Sequence, residues 1–196
     1  MLSTKHEGVA RLKASWLDRL GLPAGILAAA LMFGGCRGAE REAPASSPDP
    51  PLGGSLYYTG GTVVVTVEPA EAAYQSILGL YDEEGERLLQ VATNRDLGRS
   101  VAIDPSALGH RRGDELIFGI RIADTGESFL IGPGTRNPDG LPHARVVLQE
   151  SGGYLVGFED LLGGGDRDYD DNVFLFVGGL RAEADLESPP GSEALP

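Results

Sequence analysis

The sequence predicts an all-β protein, folded as an antiparallel, jelly-roll-like β-sandwich of about eight or nine strands. Short apolar and β-branched runs recur at intervals of roughly 8–15 residues, and turn-forming residues separate them. Beyond the first fifty residues, no long run has the one-sided spacing of an amphipathic helix. The segment Pro69–Tyr74 is long enough for one helical turn at most. These features favour strands joined by turns.

Each predicted strand begins where an apolar run follows a turn signal and ends at the next signal. The turn signals combine glycine, proline, asparagine and aspartate, which tolerate or preset turn geometry. They lie at Glu83-Glu84-Gly85-Glu86, Asp124-Thr125-Gly126, Asn137-Pro138-Asp139-Gly140 and Gly152-Gly153. In chain order, the strands are predicted at Thr62–Glu68, Tyr74–Tyr81, Arg87–Ala92, Ser100–Asp104, Glu115–Ala123, Glu127–Ile131, Ala144–Gln149, Tyr154–Phe158 and Asn172–Val177.

The chain of 196 residues is predicted to hold one folded domain between unstructured flanks. Residues 55–180 contain the strand-like runs and form the predicted β-sandwich domain. Residues 36–54 are predicted to be a flexible tether rich in proline and serine, and residues 181–196 a disordered acidic tail. Both flanks have too few bulky apolar side chains to offset the entropy of folding by burial.

The amino terminus resembles a bacterial lipoprotein signal peptide, predicted at residues 1–35. The uncharged apolar run Leu20–Phe33 fits a signal-peptide core and is shorter than the roughly 20 residues of a transmembrane helix. The following Gly34-Gly35-Cys36 is similar to a lipobox, which predicts lipidation of Cys36 and a membrane as partner. The alternative is an ordinary cleavage near Gly38-Ala39, with Cys36 an incidental residue. Arg37 after the cysteine favours the outer membrane or cell surface over inner-membrane retention.

Composition excludes several classes of function. The formal net charge is −13, and an acidic chain repels phosphate backbones, so nucleic acid is not an expected partner. Cys36 is the single cysteine, which rules out an intramolecular disulfide, a CxxC redox pair and a cysteine-based zinc site. A surface glycan or protein is the partner class that stays open.

The segment from Glu159 to Asn172 carries the most informative chemistry. It holds six carboxylates and one arginine, a net charge of 1 − 6 = −5. Two such charges about 4 Å apart repel by roughly 4 kcal/mol at an effective dielectric constant near 20, so the crowding favours a bound cation. Oxygen ligands at alternate positions suit calcium, which takes six to eight oxygens. The candidate ligands are Glu159, Asp160, Asp166, Asp168, Asp170, Asp171 and Asn172.

The loop differs from other known types of metal site. It is not an EF-hand, because the sixth position from Asp166 is Asp171 instead of glycine and the twelfth is Val177 instead of glutamate. Zinc and copper are disfavoured because sulfur and imidazole donors are lacking. The remaining alternative is a solvated acidic hairpin.

The same segment resembles a known family. The motif VGFEDL at residues 156–161, the triple glycine at 163–165 and DRDYDD at 166–171 are similar to the carboxy-terminal signature of domain of unknown function 4114. Residues 113–116 and 132–144 are similar to further landmarks, so the resemblance covers roughly residues 74–179. It implies a β-sandwich of exported bacterial proteins, with a suspected calcium site and no established activity. The family commonly has asparagine where this chain has Asp170 or Asp171, so which of the two is a ligand stays open.

Two residues of the upstream turn, Asn137 and Asp139, could reach the same cation if the fold brings them close. The alternative is an ordinary proline-initiated turn. His143, which follows this turn, is expected to be structural or solvent-facing instead of a ligand or a base.

The sequence does not predict an enzyme. Glu159 and Asp160 are adjacent, and neighbours on a strand point to opposite faces, whereas a hydrolytic pair faces one substrate from about 5–9 Å apart. There is no GxSxG motif, and the folded region holds two histidines, His110 and His143. We therefore expect a structural or binding role at the cell surface. A calcium-dependent carbohydrate- or peptide-binding module is the alternative, and a hydrolase is the weakest reading.

Overall fold

The computed structural model describes residues 52–185 of the chain. The predicted signal peptide at 1–35, the lipidation site Cys36, most of the tether and the end of the acidic tail lie outside these residues. Within residues 52–185, there is no helix with the length and hydrophobicity required to span a bilayer.

The described residues form nine strands and three short 3-10 turns, so the all-β prediction is confirmed. The turns lie at Pro105–Leu108, Gly134–Arg136 and Glu183–Asp185. The strands are β1 Leu56–Val67, β2 Ser76–Tyr81, β3 Arg87–Thr93, β4 Ser100–Ile103, β5 Ile117–Ile122, β6 Ser128–Leu130, β7 Ala144–Leu148, β8 Tyr154–Phe158 and β9 Asn172–Ala182.

The strands form two antiparallel sheets that face each other, which confirms the predicted sandwich. The larger sheet has the order β4-β1-β9-β8-β7, and the smaller has the order β3-β2-β5-β6. Alternate apolar side chains from both sheets fill the space between them, as strand geometry requires. At the centre, the rings of Phe118 on β5 and Phe176 on β9 lie 4.6 Å apart between centroids.

Strands β1 and β9 are longer than predicted, and one contact explains both differences. The pairing of β1 with β9 shifts register between Tyr58 and Val63, where Gly60 and Gly61 adopt positive φ. The glycines of β9 lie opposite this bulge, and a Cβ on Gly178 or Gly179 would collide with the carbonyl oxygens of Thr62 and Gly60. Glycine pairs normally end strands, so sequence reasoning placed boundaries there.

The tail predicted from residue 181 therefore begins too early. Arg181 and Ala182 still pair with Tyr57 and Leu56 on β1. Strand β9 continues beyond Gly178 and Gly179 because these glycines fit against the bulge of β1. Ala182, the last residue of β9, is buried. At the other boundary, Leu52 of the predicted tether bridges to Arg145.

Strands β7, β8 and β9 are consecutive neighbours in the larger sheet, and this arrangement positions the acidic loop. Phe158 at the end of β8 pairs with Asn172 at the start of β9. Both ends of the intervening segment, residues 159–171, are thus held one strand spacing apart. The chain after β1 runs alongside this segment, with Glu68 N donating to Val173 O at 2.9 Å and Glu71 N donating to Asp170 O at 3.1 Å.

Candidate metal centre

The loop between β8 and β9 has an unusual backbone. Gly163, Gly164 and Gly165 all adopt positive φ, which glycine tolerates without a steric cost. Arg167 and Tyr169 follow with φ of 63° and 61°, a left-handed conformation that is unfavourable for residues with a side chain. Such strain costs on the order of 1–3 kcal/mol for each residue and persists only where the surroundings hold it.

Contacts of Tyr169 stabilise this strained backbone. Its side chain is 2% exposed, and its ring lies 4.7 Å from the guanidinium carbon of Arg145 on β7. Its hydroxyl donates to Pro142 O at 3.4 Å, and its amide N–H donates to Glu159 Oε1 at 2.7 Å. Tyr169 therefore fastens the loop to β7 and to the residue that follows β8.

Three acidic side chains converge inside this loop. Glu159, Asp166 and Asp168 each offer a carboxylate oxygen, and these oxygens lie within 4.8 Å of one another. Ligands that share one calcium at about 2.3–2.6 Å lie no more than about 5 Å apart, so the spacing suits a common ion. Glu159 is fully buried, Asp168 is half-buried and Asp166 is exposed, which leaves the group open on one side.

Glu159 has one carboxylate oxygen that the fold leaves without a partner. Oε1 accepts the Tyr169 amide, but Oε2 is buried and accepts no hydrogen bond. A buried acceptor without a partner costs about 1–3 kcal/mol, and more when it is charged. A Cβ on Gly165 would lie 2.5 Å from Oε2, so glycine at this position gives the carboxylate its space.

Burial and nearby negative charge raise the pKa of Glu159. Burial, together with the charges of Asp171, Asp168 and Asp166, raises the pKa of Glu159 to about 7, although the Tyr169 amide acts to lower it. A carboxyl group that titrates near neutral pH marks a place where negative charge is poorly compensated. A bound cation would supply that compensation.

The neighbouring aspartates show the same imbalance. Burial raises the pKa of Asp170 to about 7, and the carboxylates of Asp168 and Glu71 add to this rise. Burial also raises the pKa of Asp171 to about 6, with the charge of Asp160 as the next cause. The ion-free loop therefore takes up protons well above the usual range for carboxyl groups.

Asp160, Asp171 and Asn172 form a second polar group beside the first. Asp160 is 3% exposed, its amide N–H donates to Asp171 Oδ2 at 3.2 Å, and its own Oδ2 is buried without a hydrogen bond. Asn172 Oδ1 accepts from Asn94 Nδ2 at 2.9 Å, and the same Asn94 amide donates to Tyr74 O. Asn172 thus uses its oxygen to join the two sheets.

The structure does not bring Asn137 into the acidic group. Its Oδ1 accepts from Leu130 N at 2.7 Å, and its Nδ2 donates to the carbonyl oxygens of Leu130 and Leu141. The buried amide thereby completes the edge of β6 and closes the following turn. Its polar atoms are engaged in these structural contacts.

Asp139 connects the upstream turn to the glycine loop through hydrogen bonds. Its Oδ1 accepts from Leu141 N at 3.1 Å, and its Oδ2 accepts from Gly163 N at 2.7 Å. Nε2 of His143 lies 2.9 Å from the same Oδ2. Despite some desolvation, these contacts lower the pKa of Asp139 to about 2.

His143 is a packed residue of this region. It is fully buried, and its ring stacks on Phe129 at 3.9 Å between centroids. Its Nδ1 lies 3.3 Å from Glu159 O, and Glu159 N donates to His143 O at 3.0 Å. His143 therefore ties Asp139 to the backbone of Glu159.

Comparison with known families gives a match over this part of the chain. Residues 122–178 match the family model described as domain of unknown function (DUF4114). Residues 122–178 are therefore similar to the DUF4114 family. The match confirms the predicted resemblance, although it begins later than the predicted residue 74. The DUF4114 segment includes β6 to β8, most of β9 and the whole acidic loop. No curated protein and no solved structure gave a significant match.

Several residues that shape the site were not found by sequence reasoning. Within the DUF4114 segment, Arg145 of β7 lies over the ring of Tyr169 and fastens the loop to the sheet. Outside it, Asn94 reaches Asn172 across 78 residues of sequence, and Glu71 adds charge near Asp170. A local sequence pattern does not predict contacts between residues so far apart in the chain. The one available signal was the tyrosine among the aspartates of the DRDYDD motif, a large ring in an otherwise polar loop.

We expect the metal-free protein to lose stability as pH rises from about 5 to 7.5. The folded-state pKa of Glu159 and of Asp170 is about 7, above the ordinary values of 4.5 and 3.8. In this window the folded state binds protons that the unfolded state has released, so the free energy of unfolding falls with rising pH. Urea denaturation of metal-free protein across the pH series measures this slope.

Glu159→Gln should flatten that slope, whereas Glu150→Gln, at an exposed position after β7, should leave it unchanged. A free energy of unfolding that increases steadily from pH 5 to 7.5 would contradict the raised pKa values. Asp139 does not affect this slope. Its pKa is lowered, so the stability it contributes is constant between pH 5 and 7.5 and is lost only at more acidic pH.

Asp139→Ala should destabilise the protein by about 1–3 kcal/mol without removing a response to calcium. The change leaves Gly163 N, Leu141 N and buried His143 Nε2 without their acceptor. Denaturant melts with and without calcium separate the two effects. Loss of the calcium response in this variant would instead make Asp139 part of the metal centre.

Proposed function

We propose that this protein binds a calcium ion in the loop between β8 and β9, with Glu159, Asp166 and Asp168 as its side-chain ligands. The observation that supports the proposal is the convergence of their carboxylate oxygens within 4.8 Å. The buried, unpaired Oε2 of Glu159 is the second observation, because it offers a charged oxygen that no donor in the described residues satisfies.

The chemistry of the donors favours calcium among the common metals. The three ligands are carboxylates, and the nearby Asp170 and Asp171 are carboxylates whose raised pKa reflects the same excess of negative charge. Zinc and copper prefer imidazole or sulfur donors, and His143 is turned to Asp139. Magnesium requires near-ideal octahedral geometry, whereas calcium accepts six to eight oxygens, which backbone carbonyls and water complete.

The role proposed for the ion is structural and not catalytic. A cation at the centre of the group lowers the repulsion among the carboxylates and compensates the strain at Arg167 and Tyr169. It thereby fixes the connection between β8 and β9, which are paired strands of the larger sheet. An ion that binds only the folded state stabilises it by about 2.7 kcal/mol at a hundredfold excess over its Kd.

Calcium should raise the melting temperature of the purified full chain by roughly 5–10 °C at a hundredfold excess over its Kd. Differential scanning calorimetry in calcium and then in chelator measures the shift, and titration calorimetry measures binding. Asp168→Asn and Glu159→Gln should abolish both signals. Glu84→Gln, at an exposed turn of the other sheet, is the control and should retain them. An unchanged melting temperature together with no heat of calcium binding would overturn the proposal.

We propose further that the protein acts outside the cytoplasm as a lipid-anchored protein of the outer membrane or cell surface. The support is the sequence of residues 1–36, with its apolar run and the lipobox-like Gly34-Gly35-Cys36. Calcium is abundant outside cells, where sites with a Kd of about 10⁻⁴–10⁻³ M are common. The partner is then the membrane through the lipid, and nucleic acid is not one.

Metabolic labelling with palmitate tests the anchor. The wild-type protein should incorporate label and fractionate with membranes, and Cys36→Ala should do neither. Label-free wild-type protein released into the medium would indicate ordinary signal-peptide cleavage and exclude the lipid anchor.

A further inference from the structure

The outer face of the smaller sheet carries an apolar cluster that is distinct from the core. Leu78 and Leu80 of β2 point into the sandwich, so Tyr81 points outward with Ile117 of β5 and Leu130 of β6. Outward residues of a surface sheet are normally exposed, yet these three are 3%, 3% and 8% exposed. Neighbouring side chains therefore cover this part of the face.

Two glycines make that cover possible. Gly79 and Gly119 lie directly opposite each other in the pairing of β2 with β5. A Cβ on Gly79 would lie 2.7 Å from Cδ of Arg87, and a Cβ on Gly119 would lie 3.2 Å from Cε2 of Tyr81. The glycine pair thus forms a flat floor on which the stem of Arg87 and the edge of the Tyr81 ring rest.

The polar groups above this floor are incompletely paired. Tyr81 Oη is buried and forms no hydrogen bond in the described residues. Burial raises the pKa of Tyr81, and this rise is opposed by the Ser128 side chain as a hydrogen-bonding neighbour and by the charges of Arg87 and Arg121. Arg121 Nε donates to Gly126 O at 3.4 Å. Among the described residues, no carboxylate lies within ion-pair distance of either arginine.

These groups line a cleft of about 370 Å³, which we call the β2–β5 cleft. Its lining is Tyr81, Gly85, Glu86, Arg87, Arg121 and Ser128. Glu86 is the acidic member, and it is exposed. The others offer two guanidinium groups and two hydroxyls, which donate hydrogen bonds. In a chain of net charge −13, these two exposed arginines have no ion-pair partner among residues 52–185, and they form a local reversal of charge beside the buried hydroxyl.

We infer that the β2–β5 cleft binds an oxyanion, namely the carboxylate or sulfate group of a small acidic ligand. Arginine recognises such groups through parallel N–H donors, and charge-assisted hydrogen bonds are about twice as strong as neutral ones. The Tyr81 hydroxyl is buried beside the cleft, and it supplies a further donor when a covering side chain moves aside as the anion enters. Glu86 restricts the ligand to one whose remaining surface is not strongly acidic.

The inferred site does not depend on calcium. It lies on β2, β3, β5 and β6, whereas the acidic loop connects strands of the other sheet. Anion binding measured in chelator therefore tests this site alone, and its failure would leave the calcium proposal untouched.

The experiment is an amide NMR titration of the full chain with sodium sulfate and, separately, sodium acetate, both in chelator. Sodium chloride at matched ionic strength controls for screening. Saturable shifts confined to residues 79–87 and 117–130 with sulfate, acetate or both support the site, and the anion that saturates at lower concentration identifies the ligand group. Shifts that follow the chloride control without saturation would overturn it.

Variants assign the binding to named groups. Arg121→Gln should weaken the saturating anion about tenfold or more, since it removes a charged donor. Tyr81→Phe removes the buried hydroxyl, retains the ring and should weaken anion binding severalfold. This variant tests the site independently if Arg121→Gln does not fold. Arg95→Gln, an exposed arginine after β3, is the control. Equal weakening by Arg95→Gln would show diffuse charge attraction and overturn the inference.

Discussion

The buried carboxylate of Glu159 is the constraint on which the rest of the site depends. It stands immediately after β8, fully excluded from solvent, and the fold provides a single amide donor, that of Tyr169, for its two oxygens. Its backbone continues the pairing of β8 towards β7 through His143. A buried charge with one donor is costly, so the surrounding loop must either keep Glu159 protonated or bring it a cation.

The local features of the loop follow from that requirement. The glycine at 165 leaves space for the unpaired oxygen, and the left-handed residues at 167 and 169 turn Asp166 and Asp168 towards the same point. Tyr169 packs against Arg145 and stabilises a backbone that would otherwise relax. Strain and charge repulsion are both concentrated in one connection, and the same ion would offset both. The opposite sheet has the reverse charge at one place, because Arg87 and Arg121 line the β2–β5 cleft.

How far the sequence predicted the molecule can be judged from particular residues. Apolar and β-branched runs separated by turn residues located all nine strands of the described region. The start of β1 and the end of β9 were not predicted. Glycines normally end strands, but here the glycines of β1 form a bulge and those of β9 pack against it. The charge of the acidic loop predicted one group of ligands. It did not predict that the side chains would separate into two groups. Glu159, Asp166 and Asp168 converge, while Asp160, Asp171 and Asn172 form another set, and Asn137 closes a turn.

The sequence by itself determined the fold class, the similarity of residues 122–178 to DUF4114 and the position of the acidic loop, because apolar runs, turn residues and charge density are local properties. The tertiary structure decided which oxygens meet and which are left unpaired. Glu159 and Asp168 are brought together by pairing of β8 with β9, and Asn94 reaches Asn172 from the other sheet. Arg87 and Tyr81 lie over two glycines that the pairing of β2 with β5 sets opposite each other, and Arg121 of β5 lines the same cleft. Such contacts depend on register and packing between distant segments, which no local pattern encodes.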